Sequence, residues 1–394
     1  CALETKKNGN SLMVNNNDTQ INVLAIIPYR VKPITTGGQK SIALFYDYFS
    51  RLVNLTGVTV KSAGENAADY RYTLIPLFSD SPFRYINPLY FFSLKKIIEK
   101  RKSGVVMIDH PYFGWLGILL KKFAGIKLIV KSHNIEGLRF RSIGKWWWNI
   151  LWHYEKWIYR FADIVFFVTA EDRQYAIKHF KLKESNCFVL PFGIEQEKAP
   201  SFEDKDAAKK IVCKKHTLDE KIPLLLYSAA LSYLPNQQGL DFILTQLNPL
   251  LLKSGRPYNI LISGSKLPEQ YHQLKAYAHL NITFAGFVDD IEQYFTAADI
   301  FLNPIAEGGG IKTKAVEALA ANCTVISFEN GAIGIPKNIA GKKLEIVANN
   351  DADAFANTIL NICKAPEENI PAVFFDFFSW ERIVLRAKEK ICQH

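Results

Sequence analysis

The chain has 394 residues, 48% hydrophobic and 22% charged, a balance that excludes a disordered or collagen-like protein and predicts a globular one too long for a single core. Lys+Arg 48 exceed Asp+Glu 38, and the net charge of +10 suits an acidic small molecule, an anionic lipid or a nucleic acid without choosing among them. No apolar run reaches the roughly 18 residues of a membrane-spanning helix. The six cysteines are scattered without a C-x-x-C pair, which argues against a zinc site or a disulfide framework and for a reducing compartment.

Residues 1–20 are polar and rich in asparagine and are expected to form a flexible leader. The apolar run from Ile21 to Ile27 ends at Pro28, as a buried parallel strand does on leaving a sheet. Thr36-Gly37-Gly38-Gln39-Lys40 follows, with a helix expected from Ser41 to Leu52. Further strands are predicted at Gly104–Ile108, Lys127–Val130, Ile164–Val168 and Phe188–Leu190, mostly separated by helices, the alternation of a doubly wound α/β domain. After a charged linker with one helix, from Ser201 to Glu220, the pattern restarts. Strands are expected at Leu224–Ala229, Tyr258–Ser263, Ile282–Phe284, Ile300–Leu302 and Val325–Phe328. The fold class is therefore α/β, with two tandem Rossmann-like domains and a cleft between them.

The helix Trp146–Phe161 carries aromatic or aliphatic groups around most of its circumference, with Lys145, Lys156 and Arg160 among them. Two readings stay open: a helix buried on several sides, or one whose tryptophans and basic residues touch a membrane interface. Tyr90–Lys102 would be a second contact of the same kind, although basic residues at a helix C-terminus are also ordinary dipole partners.

Asn303 to Ala320 is the most informative stretch. It reads as a buried strand, a turn through Gly308, Gly309 and Gly310 with Lys312 and Lys314, and a helix carrying Glu317 one turn inside. Glycines let a diphosphate approach backbone amides, and a helix N-terminus with nearby lysines favours an anion. A nucleotide-phosphate pocket is the chemistry this order of residues points to, although such turns are also made for tightness alone.

Taken in order, several segments resemble a retaining glycosyltransferase of family 4, of the two-Rossmann GT-B type. They are Gly37-Gly38, Ser132-His133-Asn134-Ile135-Glu136 with Arg139 and Arg141, Thr169–Arg173, Leu190–Ile194, Leu231–Asn236, Gly286–Asp290 and Gly308 through Glu317. The resemblance runs from Ile21 to the C-terminus. It implies an acceptor-binding domain over 21–198, a nucleotide-sugar-binding domain over 199–375, and a helix over 376–394 that crosses back onto the N-terminal domain. It also implies catalytic roles for His133, at the transferred sugar, and Glu317, which accepts hydrogen bonds from ribose hydroxyls. The donor would be held by Gly37, Gly38, Val288, Glu307, Gly308, Gly309, Gly310, Ile311, Lys312, Thr313, Lys314 and Glu317. Phe287 and Val288 would face the base, and the lysines would hold the diphosphate as it leaves.

The family's first motif glutamate falls eight residues before Glu317, where this chain has Gly309; Glu307 lies two positions upstream as a substitute. The basic pair after the first strand of the second domain is also absent. No Asp-x-Asp sits at a suitable strand end, and Asp351-Ala352-Asp353 precedes a helix as a cap does, so metal-independent chemistry without a cofactor is expected. The resulting expectation is transfer of a hexose-type sugar from a nucleoside diphosphate sugar to a saccharide or lipid-linked acceptor. Retention of configuration, a role in bacterial surface polysaccharide assembly, no nucleic acid partner, and a cytoplasmic location with contact to an anionic membrane complete it. A GT-B nucleotide-sugar epimerase and a non-catalytic sugar-nucleotide-binding protein are the alternatives.

Overall fold

A computed structural model describes residues 21–364 and 368–394; the leader at 1–20 lies outside the described residues. Among the described residues the first sheet has seven parallel strands: β1 Asn22–Ile26, β2 Asn54–Val60, β3 Thr73–Phe78, β4 Val105–Asp109, β5 Lys127–Ser132, β6 Ile164–Phe167 and β7 Cys187–Val189. Their spatial order is β3-β2-β1-β4-β5-β6-β7. The second sheet contains β8 Leu224–Ala230, β9 Asn259–Ser265, β10 Ile282–Gly286, β11 Ile300–Asn303, β12 Thr324–Phe328 and β13 Leu344–Val347. These six are also parallel, ordered β10-β9-β8-β11-β12-β13. Both orders reverse beside the first strand of the unit, which puts a crevice at β1/β4 and another at β8/β11.

Side-chain alternation explains why the central strands read as unbroken apolar runs. In β1, Val23 and Ala25 enter the core beneath the helix Gly37–Phe49, whereas Leu24 and Ile26 enter the core on the opposite face. Both faces are covered, so neither parity is polar. Three strands escaped the sequence reading: β2, β3 and β13. β3 contains Pro76 and β13 only four residues, and both lie at a sheet edge, where a missing N–H costs little. Helix Gly37–Phe49 also begins four residues earlier than predicted, because Gly37 and Gly38 form its first turn. Among the described residues Cys187, Cys213, Cys363 and Cys392 form no disulfide.

The end of the chain returns to the first sheet as expected. Helix Trp380–Gln393 packs against helix Gly37–Phe49, and the Lys127 ammonium donates to the Ile391 carbonyl at 2.9 Å. Ile194 pairs with Ser379 in a parallel bridge, and the Trp380 ring closes over Gly193 with Phe192 at 5.7 Å. Trp380 is fully buried, so truncation to Ala there would cost about 3–5 kcal/mol.

Candidate active site

Between the two units lies a cavity of about 760 Å³, within the range of ligand pockets. Thr35 to Gly38, which follow β1, line one side; the ends of β8, β9 and β11 line the other, with Gly308, Gly309 and Ile311 to Lys314. Loops of both units thus line one space.

Two helices aim their N-termini at it. Thr36 caps the first: its hydroxyl accepts from the Gln39 amide while the Gln39 side chain accepts from the Thr36 amide. Such a cap contributes about 1 kcal/mol. The amides of Gly37 and Gly38 fall in the first turn, where no intrahelical acceptor exists. The second helix, Thr313–Ala320, has Lys312 at its N-cap with no side-chain cap bond. The termini abut, since a β-carbon on Gly37 would stand 2.6 Å from Thr313 Oγ1. Both positive dipole ends therefore act on the same volume, which is a ready anion site.

The glycine loop winds around Lys312. Its Nζ donates to the Gly310 carbonyl at 2.8 Å and lies 3.4 Å from those of Gly308 and Gly309. Burial pushes this ammonium down to about 8, with Asp172 opposing. Gly310 has φ +70°, and any β-carbon there would overlap Asn134 Oδ1, so glycine is required where the first unit's loop touches the second. Gly38 carries no such requirement. Its φ is not in the left-handed region, and an added β-carbon would meet only the Tyr29 hydroxyl at 3.7 Å.

Of the expected donor-site residues, Gly37, Gly38, Val288, Gly308, Gly309, Ile311, Lys312, Thr313 and Lys314 line the cavity. Phe287 stands at its rim, 72% exposed. Glu307 is exposed and outside the lining, and Gly310 is turned into the contact with Asn134. Glu317 is also outside it. Its carboxylate accepts from Lys40 Nζ at 2.6 Å and lies 3.2 Å from Lys314 Nζ, beside a neighbouring cavity of about 580 Å³. Burial alone would lower the pKa of Lys40, but the charge and hydrogen bond of Glu317, with the charges of Glu292 and Glu195, together outweigh it and raise it.

His133 follows β5 and is buried outside the cavity lining. Its Nε2 donates to Asp109 Oδ1 at 2.7 Å, and Lys131 Nζ lies 3.5 Å from the same oxygen. Burial would raise the Asp109 pKa, yet Lys131 and His133 hold this carboxyl well below the usual range. Burial, then His110 and Lys131, push the His133 imidazole down to about 4. The His110 ring stacks on that of His133 at 4.4 Å between centroids. Nδ1 of His110 is 3.3 Å from Glu136, and its Nε2 is 3.2 Å from the Tyr29 hydroxyl. Arg139, which lines the cavity, grips Glu136 Oε2 at 2.6 and 2.9 Å. Lys40, Asp109, His110 and Tyr29 were missed by sequence reasoning. Asp109-His110 did carry a signal: a polar pair directly after a buried run, like His133 after β5.

A family model described as Glycosyltransferase Family 4 matches residues 36–198, and one described as Glycosyl transferases group 1 matches residues 222–365. The chain belongs to the family 4, group 1 glycosyltransferases. The enzyme is 22% identical over 286 residues to UDP-Gal:alpha-D-GlcNAc-diphosphoundecaprenol alpha-1,3-galactosyltransferase of Escherichia coli, covering 68% of this chain and 69% of that one. Its fold is similar to that of a glycosyltransferase from Rickettsia africae ESF-5, with TM-score 0.70, 18% identity, and coverage of 94% and 97% of the two chains. It is similar also to Anabaena Alr3699/HepE in complex with UDP, with TM-score 0.71, 14% identity, and coverage of 95% and 100%. This glycosyltransferase thus has the GT-B fold that its motif order predicts. Among the described residues no helix is long and apolar enough to cross a membrane.

Proposed function

We propose that this glycosyltransferase transfers a hexose from a nucleoside diphosphate sugar, with UDP as the carrier, to a sugar on a lipid-linked diphosphate. The reaction would retain the anomeric configuration and serve surface polysaccharide assembly at an anionic membrane. The observation that carries the reading is the convergence of two helix N-termini and Lys312 on one cavity between the sheets. A diphosphate seated there would meet fixed positive charge as its own negative charge grows on departure, and this electrostatic help needs no reorganisation. The lipid-linked acceptor and the UDP carrier are supported by the name of the Escherichia coli relative and by the UDP complex of the Anabaena protein.

Each side of the cleft takes a part in this reading. Amides of Gly37 and Gly38 and the Lys312 ammonium hold the diphosphate, and Phe287 and Val288 face the base. Glu317 reads the ribose once the donor has drawn it from Lys40. Neutral His133, held by Asp109, positions the loop that faces the transferred sugar. Front-face attack by the acceptor hydroxyl beside the departing diphosphate would give retention, with that diphosphate taking the proton. No metal is assigned to these steps.

A thermal-shift screen of nucleoside diphosphate sugars tests the donor, since a ligand bound only to the native state raises apparent stability. Release of nucleoside diphosphate with and without acceptor then tests the reaction. Turnover of the donor sugar that ignores the acceptor would favour an epimerase. Binding with no turnover at all would favour a silent binding protein.

A further inference from the structure

Three helices, Tyr90–Arg101, Gly114–Ala124 and Trp148–Phe161, pack side by side on one face of the first sheet and bury Leu94, Ile98, Leu116, Leu120 and Ile158 against it. Their outer sides hold large apolar groups in solvent. Phe92 is 68% exposed, and Phe123, Ile150 and Trp157 are exposed as well. Phe83, in the segment between β3 and the first of these helices, reaches 75%, and Trp146, just before the third, 82%. The Phe91 ring links Phe92 and Phe123, at 5.4 and 6.0 Å, so neighbouring helices present one surface. Lys121 Nζ joins the ends of the other two by donating to the Phe161 carbonyl at 3.0 Å.

Charge decides what this face fits. Lys96, Lys100, Arg101, Lys122 and Arg160 stand exposed among the aromatic groups, whereas the exposed Glu99 is matched by Lys95 at 3.9 Å. The core of a protein–protein interface is depleted of lysine. An anionic bilayer takes both components, since tryptophan and phenylalanine enter the headgroup boundary while lysine and arginine meet lipid phosphates. The edge carrying Trp146 leads directly into the helix Glu136–Ser142, whose Arg139 lines the cavity.

We infer that this three-helix face docks on an anionic lipid bilayer with its Trp146 edge toward the cleft, so that a lipid-linked sugar reaches the active site without leaving the membrane. This deepens the lipid-linked acceptor reading and rests on it for its purpose. The helix Trp148–Phe161 would then serve both sequence readings: it buries Glu155, Ile158 and Tyr159 and exposes Ile150, Trp157 and Phe161.

The test is co-sedimentation of the full chain with vesicles of phosphatidylglycerol and phosphatidylcholine, and with phosphatidylcholine alone, at low and high salt. Binding to the anionic vesicles at low salt, lost as salt rises, is expected. Lys96→Glu with Lys100→Glu should lower the partition coefficient at least about tenfold, and Phe92→Ser with Phe123→Ser should also lower it. Unfolding temperature should hold in both variants because the altered groups are exposed. Failure of wild type to bind anionic vesicles, equal binding to neutral ones, or undiminished binding by both variants would overturn the inference. So would sedimentation velocity showing a dimer that these substitutions abolish, since a second copy would then own the face. Vesicle binding without turnover of any lipid-linked acceptor would leave the docking face standing and remove the acceptor reading alone.

Discussion

Lys40 and Glu317, 277 residues apart in the chain, meet across the cleft with Nζ 2.6 Å from Oε1. Lys314 approaches the other carboxylate oxygen at 3.2 Å, so one anion is shared by a cation of its own helix and one from the opposite unit. Ribose hydroxyls that reach Glu317 must therefore displace Lys40 or share its acceptor. Glu317→Gln removes the charge that makes such hydrogen bonds strong, about 1.5–3 kcal/mol each. Calorimetry should find nucleoside diphosphate bound about tenfold or more weakly. Lys40→Met leaves the carboxylate intact and removes its competitor, so it should not weaken binding. An unchanged affinity in Glu317→Gln would take this residue out of the donor site.

Lys312 should give donor binding a pH dependence. Burial lowers its pKa to about 8, against about 10.4 for an unperturbed lysine. Above pH 8 the free enzyme increasingly holds a neutral amine, and binding a diphosphate must then draw in a proton. The dissociation constant should rise up to about tenfold per pH unit above 8 in the wild type. Lys312→Arg, which stays charged, should flatten the profile. Lys312→Ala should weaken nucleoside diphosphate far more than free nucleoside, and equal losses would contradict the phosphate assignment.

How much of this was legible depended on how local each signal is. β1, β4, β8 and β12 announce themselves because strands covered on both faces are apolar at most positions. β3 does not, because Pro76 sits on an edge strand with one neighbour. The glycine loop and its lysines are contiguous, so their motif can be read along the chain itself. The engagement of Glu317 is not, for nothing near it in sequence hints at Lys40. Nor does the motif show that Glu307 points away, because a glycine-rich loop allows either direction. His110 and Tyr29 meet across 81 positions and share no motif.

Asp109 anchors His133 and faces Lys131 in a fully buried setting. Breaking such a pair from one side leaves an uncompensated charge and costs about 3–5 kcal/mol. Asp109→Asn should therefore lower the unfolding free energy by about that amount. In urea titrations the midpoint should drop with little change in slope. Loss of activity with unchanged stability would instead mean that Asp109 serves chemistry and not support.

Glu155 accepts from the amides of Glu136 and Gly137 at 2.8 and 2.7 Å, at the start of the helix that carries Arg139. Burial outweighs these amides and pushes its pKa up to about 8. A carboxyl raised in the folded state adds stability below its unfolded pKa, near 4.3, and loses it as pH climbs through 8. His133, lowered to about 4, acts in the opposite sense but only below about pH 6.5. Unfolding temperature should thus fall between pH 6.5 and 8, and Glu155→Gln should remove that slope. An equal slope in the variant would place its origin elsewhere.

The leaving group and the closeness of the two helix ends are tied together. If the diphosphate is met by the amides near Gly37 and Gly38, the N-terminus at Thr313 and Lys312, its stabilisation belongs to fixed parts of the chain. Nucleoside diphosphate release with donor and acceptor should then persist in excess EDTA. Activity that disappears with chelator and returns with magnesium or manganese would sink the metal-free reading. Two glycine variants separate closure from phosphate space. Gly37→Val would drive a branched side chain into Thr313 Oγ1, only 2.6 Å from the first added carbon, so the helix ends could not approach. Gly38→Ala meets nothing nearer than 3.7 Å and should leave the unfolding temperature unchanged. Its methyl group would stand at the mouth of the anion site, so donor affinity should fall while the nucleoside still binds. Full affinity in both variants would remove the first helix from the donor site.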